Sequence, residues 1–228
     1  MRKKTVLILS GGMDSATLLH HLLERGHLVK ALGINYGQRH ARELACARAQ
    51  AEDVGVPYTE VDLSALTELL AGSSQTDPRV EVPEGNYTDE NMKLTVVPNR
   101  NMIMLSVAIG HAVSLKYDSV AYGAHSGDHA IYPDCREEFA SVMNAAAMLC
   151  DWHRVSLIRP FIDMDKGDIC ILGAKLGVEW NKTWTCYKGL EHPCGKCGSC
   201  VERAEAFQKA GVIDPLAPEK VSVREWRL

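Results

Sequence analysis

Ser10-Gly11-Gly12-Met13-Asp14-Ser15 sets two hydroxyls, two glycines and a carboxylate within six positions, a composition suited to holding a phosphate. Glycine admits positive φ and lets an anion approach main-chain N–H groups that a Cβ would shield. Ser10 and Ser15 add hydroxyl donors. A second set of groups is cationic. Arg39 with His40, Arg100, Arg136, Arg159 and Lys166 each falls just past an apolar run or at the opening of a helix-like one. Cations in a helix's first turn oppose its dipole by about 0.3–1 kcal/mol each when exposed, so their recurrence there implies bound anions. Glu137, Asp165 and Asp168 are the alternative partners for any one of them. A third set, Cys186-x7-Cys194-x2-Cys197-x2-Cys200, supplies four thiolates. Zinc takes four sulfurs tetrahedrally at about 2.3 Å, and an iron–sulfur cluster accepts the same ligands. The compact spacing favours one structural zinc per chain, with Lys196 offsetting thiolate charge. Four sulfurs leave no open position for Lewis-acid chemistry.

Other residues carry weaker signals. Cys135 beside Arg136 at a helix start has the setting of an activated thiol, or of a small semi-buried residue. Asp134-x-x-Glu137 reads as a capping box opening that helix. His125, Asp128 and His129 form a polar strand-end loop better suited to a polar ligand than to a metal. Cys46, Cys150 and Cys170 fall on apolar helix faces and are expected in the core, as are Leu105, Ala108 and Ile109.

The elements that must position these groups follow from periodicity. The run Thr5–Leu9 breaks into the glycine turn, and Leu18, Leu19, Leu22 and Leu23 then recur with helical spacing. Backbone N–H groups of that turn and of the helix's first turn converge where an anion binds. Strands are predicted near 5–9, 28–34, 57–62, 118–123 and 155–159. Helices are predicted near 14–25, 39–54, 100–116, 135–149 and 166–176, with a further one at 201–210. Repeated β-α units imply an α/β fold, a doubly wound parallel five-stranded sheet of Rossmann-like type, with ligands outside the strands' carboxyl ends. We expect residues 1–180 to form this nucleotide-binding layer and 181–228 a small C-terminal zinc-binding segment and tail. Residues 64–97 are turn-rich and aperiodic and read as a lid over the substrate. Residues 212–228 read as a packing arm or a frayed tail.

The chain has 228 residues and a formal charge of −4. That balance gives no basic track for nucleic acid. Met1-Arg2-Lys3-Lys4 precedes an apolar run too short for a signal peptide, and no stretch is long enough to span a bilayer, so a cytoplasmic location is expected. Crowded cysteines in such a compartment bind metal rather than pair as disulfides.

The glycine loop lacks the Gly-x4-Gly-Lys-Ser/Thr and Gly-x-Gly-x-x-Gly patterns and resembles the Ser-Gly-Gly-x-Asp-Ser loop of PP-loop ATP pyrophosphatases. With Tyr36-Gly37-Gln38-Arg39-His40, Val97-Pro98-Asn99-Arg100-Asn101, Tyr132-Pro133-Asp134-Cys135-Arg136-Glu137-Glu138-Phe139, Pro160-Phe161 and the four cysteines, nearly the whole chain resembles the 7-cyano-7-deazaguanine synthase family. Ala16 and Asp168 stand as tolerated variants. The resemblance implies an adenine nucleotide alpha-hydrolase type fold. It also implies an ATP-dependent ligase of queuosine precursor synthesis, which converts 7-carboxy-7-deazaguanine and ammonia to the 7-cyano product through an adenylated carboxylate and an amide. Leu9, Ser10, Gly11, Gly12, Met13, Asp14, Ser15 and Ala16 would hold ATP with Mg²⁺. Arg39, Arg100, Arg136 and Lys166 would neutralise charge in catalysis, Cys186, Cys194, Cys197 and Cys200 would hold Zn²⁺, and the working form would be a homodimer without nucleic-acid or membrane partners. Two other classes are a tRNA-modifying PP-loop enzyme, either a thiolase or a lysidine-type ligase, and a non-enzymatic zinc-knuckle binding module. The first calls for a basic RNA-binding face or an extra RNA-binding domain; the second has no need of the intact glycine loop or of the cationic strand ends.

Overall fold

The computed structural model describes residues 2–39, 42–86, 90–127 and 131–217. His40, Asp128, His129 and the tail from 218 onward lie outside the described residues. Five strands, β1 (Lys4–Ile8), β2 (Leu28–Asn35), β3 (Tyr58–Asp62), β4 (Ser119–Ala121) and β5 (Ser156–Ile158), form one parallel sheet in the order β3-β2-β1-β4-β5. Helices α1 (Met13–Glu24), α2 (Arg42–Asp53), α3 (Arg100–Leu115), α4 (Glu137–Leu149), α5 (Lys166–Lys175) and α6 (Gly198–Ala210) accompany it.

Alternation along the strands explains the two-sided winding. Val6 and Ile8 point to one face, where α3 (Leu105, Ala108, Ile109) and α4 (Ala140, Met143) cover them. Leu7 and Leu9 point to the other, against Leu18, Leu19 and Leu22 of α1, Ala47 and Ala51 of α2, and Ile169 of α5. Each such large aliphatic side chain, once removed from water, stabilises the fold by about 1.5–3 kcal/mol. A strand buried on both faces reads as a continuous apolar run, which is why Thr5–Leu9 does.

The strand order reverses between β1 and β4, and a crevice opens outside their carboxyl ends. Two expectations about the elements are corrected. Helix α4 begins at Glu137, after a short 3₁₀ turn over Pro133–Cys135, and Arg136 is its N-cap, so Asp134 does not cap it. The Asp134 carboxylate instead accepts the Asn101 backbone N–H at 3.1 Å, capping α3. The capping box that does form is Asp165 with Asp168 at the start of α5. Of the cysteines expected in the core, Cys170 is buried, Cys46 half-buried, and Cys150 exposed, because it lies one residue past the end of α4.

Residues 64–97 hold two 3₁₀ turns, Ser64–Leu70 and Glu90–Thr95, around a buried polar turn. Ser73, Ser74 and Gln75 are fully buried. The Gln75 amide donates to the Thr95 carbonyl at 2.8 Å, and Ser74 N–H donates to the Leu94 carbonyl at 2.7 Å. Of this turn, Gln75 lines the crevice.

Candidate functional site

The glycine loop closes β1 and opens α1 at the switch point. Gly11 has φ +88°, and a Cβ there would lie 2.0 Å from the Glu43 carbonyl oxygen. Gly12 is extended instead (φ −75°) and is the N-cap of α1, with no side-chain cap. The first N–H groups of α1 lack intrahelical acceptors by geometry and face the crevice with the positive end of the dipole. Both serine hydroxyls bond within the loop. Ser10 Oγ lies 3.0 Å from Ser15 Oγ, Ser15 Oγ donates to the Gly12 carbonyl at 3.1 Å, and Gly12 N–H donates to Ser10 Oγ at 3.3 Å. The loop therefore holds its cradle shape before any ligand arrives. Leu9, Ser10, Gly12, Met13, Asp14 and Ser15 line the crevice; Gly11 and Ala16 do not. Ala16 packs with Met13 and Cys170 in the core. Gly11→Ala combines a left-handed φ with a backbone clash, so it is expected to cost about 3 kcal/mol or more and to abolish ATP binding. Thermal melting and calorimetry of the variant check both.

The cations divide. Arg100 and Lys166 line the crevice; Arg39, Arg136 and Arg159 are outside its lining. Arg39 donates from Nη2 to the carbonyls of Asp77 (2.7 Å) and Val80 (3.0 Å), which fixes the buried turn. Arg159 grips the Glu137 carboxylate with Nε (2.7 Å) and Nη2, so the neighbour-pairing alternative holds there. Arg136 is an exposed N-cap.

Arg100 opens α3 directly after Asn99, whose left-handed backbone (φ 58°) asparagine tolerates better than most residues. Its guanidinium sits over Tyr132 at 5.6 Å and donates to Gln75 Oε1 at 3.3 Å. The Tyr36 hydroxyl shares that acceptor at 3.2 Å, and Thr95 Oγ1 meets Tyr132 Oη at 2.6 Å. Burial raises the Tyr36 phenol to about 12, so it stays protonated. Among the described residues Arg100 has no carboxylate partner. Cys135 is buried on the adjacent wall, its Sγ accepting from Asn101 Nδ2 at 3.4 Å.

Lys166 is buried where α5 begins, with Nζ 2.6 Å from Glu202 Oε2 and 3.6 Å from Asp14 Oδ2. His125, fully buried, places Nε2 at 3.7 Å from the same Asp14 oxygen.

The four cysteine sulfurs lie within 4.8 Å of one another, with Cys194 and Cys200 at 3.9 Å. Ligands at about 2.3 Å in a tetrahedron are about 3.8 Å apart, so the cluster fits one ion. N–H groups of Lys196 (3.4 Å) and Cys197 (3.3 Å) both donate to Cys194 Sγ, the turn a knuckle requires. This segment is packed onto the site. Glu84 bridges to Cys197, Gly85 N–H donates to the Lys196 carbonyl, and Val82 joins Trp184, Cys186, Cys197 and Cys200 in one apolar cluster. Trp184 N–H donates to the Gly11 carbonyl at 3.0 Å. Gln50 Nε2 donates to that carbonyl as well (3.1 Å) and to the Lys182 carbonyl (2.7 Å). Gln75, Glu202 and Trp184 gave no signal as site residues in the sequence, since each enters by a long-range contact.

A 3-2-1-4-5 parallel sheet with a Ser-Gly-Gly-x-Asp-Ser turn at its switch point defines a PP-loop nucleotide-binding α/β protein. Solved structures share that fold. An NMN synthetase from Francisella tularensis has a TM-score of 0.54 at 15% identity, covering 98% of this chain and 80% of its own. A 4-thiouridine synthetase solved with RNA and bound ATP has 0.53 at 16%, over 92% and 50%. The chain belongs to the family described as queuosine biosynthesis protein QueC, whose model matches residues 4–211. Among its relatives are proteins named 7-cyano-7-deazaguanine synthase. The one from Hahella chejuensis is 55% identical, over 96% of this chain and 94% of that protein. The one from Marinobacter nauticus is 52% identical, over 97% and 100%. The chain is thus an enzyme of the ATP-using PP-loop type. No described helix is long and apolar enough to cross a membrane.

Proposed function

We propose that this chain converts 7-carboxy-7-deazaguanine and ammonia, with ATP, into 7-cyano-7-deazaguanine. The observation that carries the reading is Arg100, a half-buried guanidinium that lines the crevice with no carboxylate partner among the described residues. Arginine stays charged in any protein environment, and its fork matches a carboxylate two bonds at a time. The glycine loop receives the triphosphate and Arg100 the substrate carboxylate, two anions in one crevice. Asp14 Oδ1 is buried with no hydrogen-bond partner, and Asp14 is the group that would hold the magnesium ion carried by ATP.

A carboxylate is a poor electrophile until one oxygen becomes a leaving group. Its oxygen attacks the α-phosphorus and pyrophosphate departs. Ammonia then adds to the acyl carbon and loses a proton, and AMP leaves an amide. In the same way a second ATP activates the amide oxygen with loss of pyrophosphate and one nitrogen-bound proton, and that oxygen then leaves with AMP as the second nitrogen-bound proton is lost, giving the nitrile. Lys166, beside the loop, neutralises charge on the departing phosphate, where electrostatic stabilisation is largest, and the shared crevice supplies proximity. Arg39 serves indirectly, through the turn that carries Gln75. Arg136, outside the lining, takes no step in this reading. The ion held by the cysteines is zinc in this reading and structural. The homodimer rests on the family resemblance.

The test is direct. Purified protein with 7-carboxy-7-deazaguanine, ammonium and Mg·ATP is expected to yield first the amide and then the nitrile by mass spectrometry. Absence of the nitrile overturns the proposal.

A further inference from the structure

We propose that Glu202 is a positioning residue for Lys166, and that through it the cysteine knuckle sets the geometry of the phosphate site. The proposal rests on the reading of Lys166 as a phosphate ligand. Among the described residues, Lys166 Nζ meets the carboxylates of Glu202 (Oε2, 2.6 Å) and Asp14 (Oδ2, 3.6 Å). The shorter contact pulls the ammonium to the α6 side of the crevice. A lysine ammonium on its flexible four-carbon stem keeps one position only where a partner holds it. Without Glu202 the ammonium would close on Asp14, pairing with the one acid of the glycine loop and leaving the position a phosphate oxygen needs.

Glu202 is itself held from three directions. Cys197 is the N-cap of α6 and Cys200 lies in its first turn, so two of the four metal ligands fix the start of the helix that carries Glu202. The neighbouring Arg203, buried, bonds Asp214 through Nε (2.7 Å) and Nη2 (2.9 Å) and Thr183 Oγ1 through Nη1 (2.8 Å), anchoring α6 to the segment whose next residue, Trp184, bonds Gly11. Lys209, further along α6, binds both acids of the α5 capping box, Asp165 at 2.6 Å and Asp168 at 2.7 Å, and so locks α6 to the helix that begins with Lys166. Gly127 leaves room on the fourth side, since a Cβ there would stand 3.0 Å from Glu202 Oε1. A carboxylate confined in this way is well placed to hold Nζ, which it meets at 2.6 Å.

The experiment is a double-mutant cycle read by calorimetric titration of the zinc-loaded protein with Mg·ATP, with metal content and melting temperature measured on every variant. Glu202→Ala is expected to weaken ATP about tenfold and to add nothing in a Lys166→Ala background. Glu202→Gln keeps the reach and an acceptor oxygen and is expected to restore affinity to within about threefold. Glu202→Asp keeps the charge beside the cysteines but shortens the reach by one methylene, and is expected to behave as the alanine variant does. If Glu202→Ala loses metal, the Gln and Asp pair decides the matter. Wild-type affinity in the Asp variant, or additive losses in the cycle, overturns the proposal. Because the readout is ATP affinity, it stays interpretable if the wild-type protein makes no nitrile, an outcome that would overturn only the proposed reaction.

Discussion

Arg100→Met is expected to lower kcat/KM for the carboxylate substrate by about a thousandfold, with ATP affinity unchanged within about threefold. Deleting one partner of a buried charge pair typically costs about 3–5 kcal/mol, because the other charge is left without compensation. At 1.4 kcal/mol per factor of ten, that corresponds to roughly 10²–10⁴ in rate. Arg100→Lys keeps the charge but replaces a planar fork with a point donor, and an intermediate loss of about ten- to a hundredfold is expected. The isolated amide intermediate separates recognition from scaffolding. It is neutral and needs no counter-charge, so the methionine variant should process it with a loss at least tenfold smaller than for the acid. Steady-state kinetics with both substrates make the comparison. Equal losses would reduce Arg100 to a support for Gln75 and Tyr132, which it contacts at 3.3 Å and 5.6 Å.

Contacts between near neighbours were legible in the sequence; contacts across distance were not. The strand, glycine turn and helix of residues 4–24 are contiguous, so the apolar run, Gly11 and the leucine spacing disclose one another. The cysteine quartet is likewise local, fifteen positions from first to last. Asp134 shows where such reading stops. Its spacing to Glu137 fits a capping box, but its carboxylate bonds a residue 33 positions earlier. Lys166 was visible as a cation at a helix start, whereas its partner Glu202 lies 36 positions later on another helix. Turn-rich composition marked 64–97 as irregular without disclosing that Ser73, Ser74 and Gln75 are buried. Periodicity carries no information about a polar turn that is satisfied by contacts with Arg39, Leu94 and Thr95. Cys150 failed for a simpler reason, since helical spacing lost its meaning where α4 ended.

Removing the metal is expected to disable the protein as a fold and as a nucleotide site together. Elemental analysis should find one zinc per chain, with no iron and no visible charge-transfer band. Structural zinc contributes about 10–16 kcal/mol of apparent binding energy in isolated knuckles. If only about 5 kcal/mol of that reaches the stability of the whole chain, the melting temperature falls by about 10–20 °C on chelation. The coupling to the phosphate loop is structural. Cys186, Cys197 and Cys200 pack with Val82 and Trp184, the Trp184 indole donates to the Cys186 carbonyl at 3.0 Å, and the Trp184 backbone N–H holds the Gly11 carbonyl. Loss of the ion leaves up to four thiolates in mutual repulsion and withdraws a donor from the one glycine whose φ of +88° shapes the cradle. Cys200→Ser, with one weaker ligand, should therefore weaken Mg·ATP at temperatures well below its melting transition, although Cys200 lines no part of the crevice. ATP affinity that survived metal removal would mean that Gln50, the other donor to Gly11, holds the loop by itself.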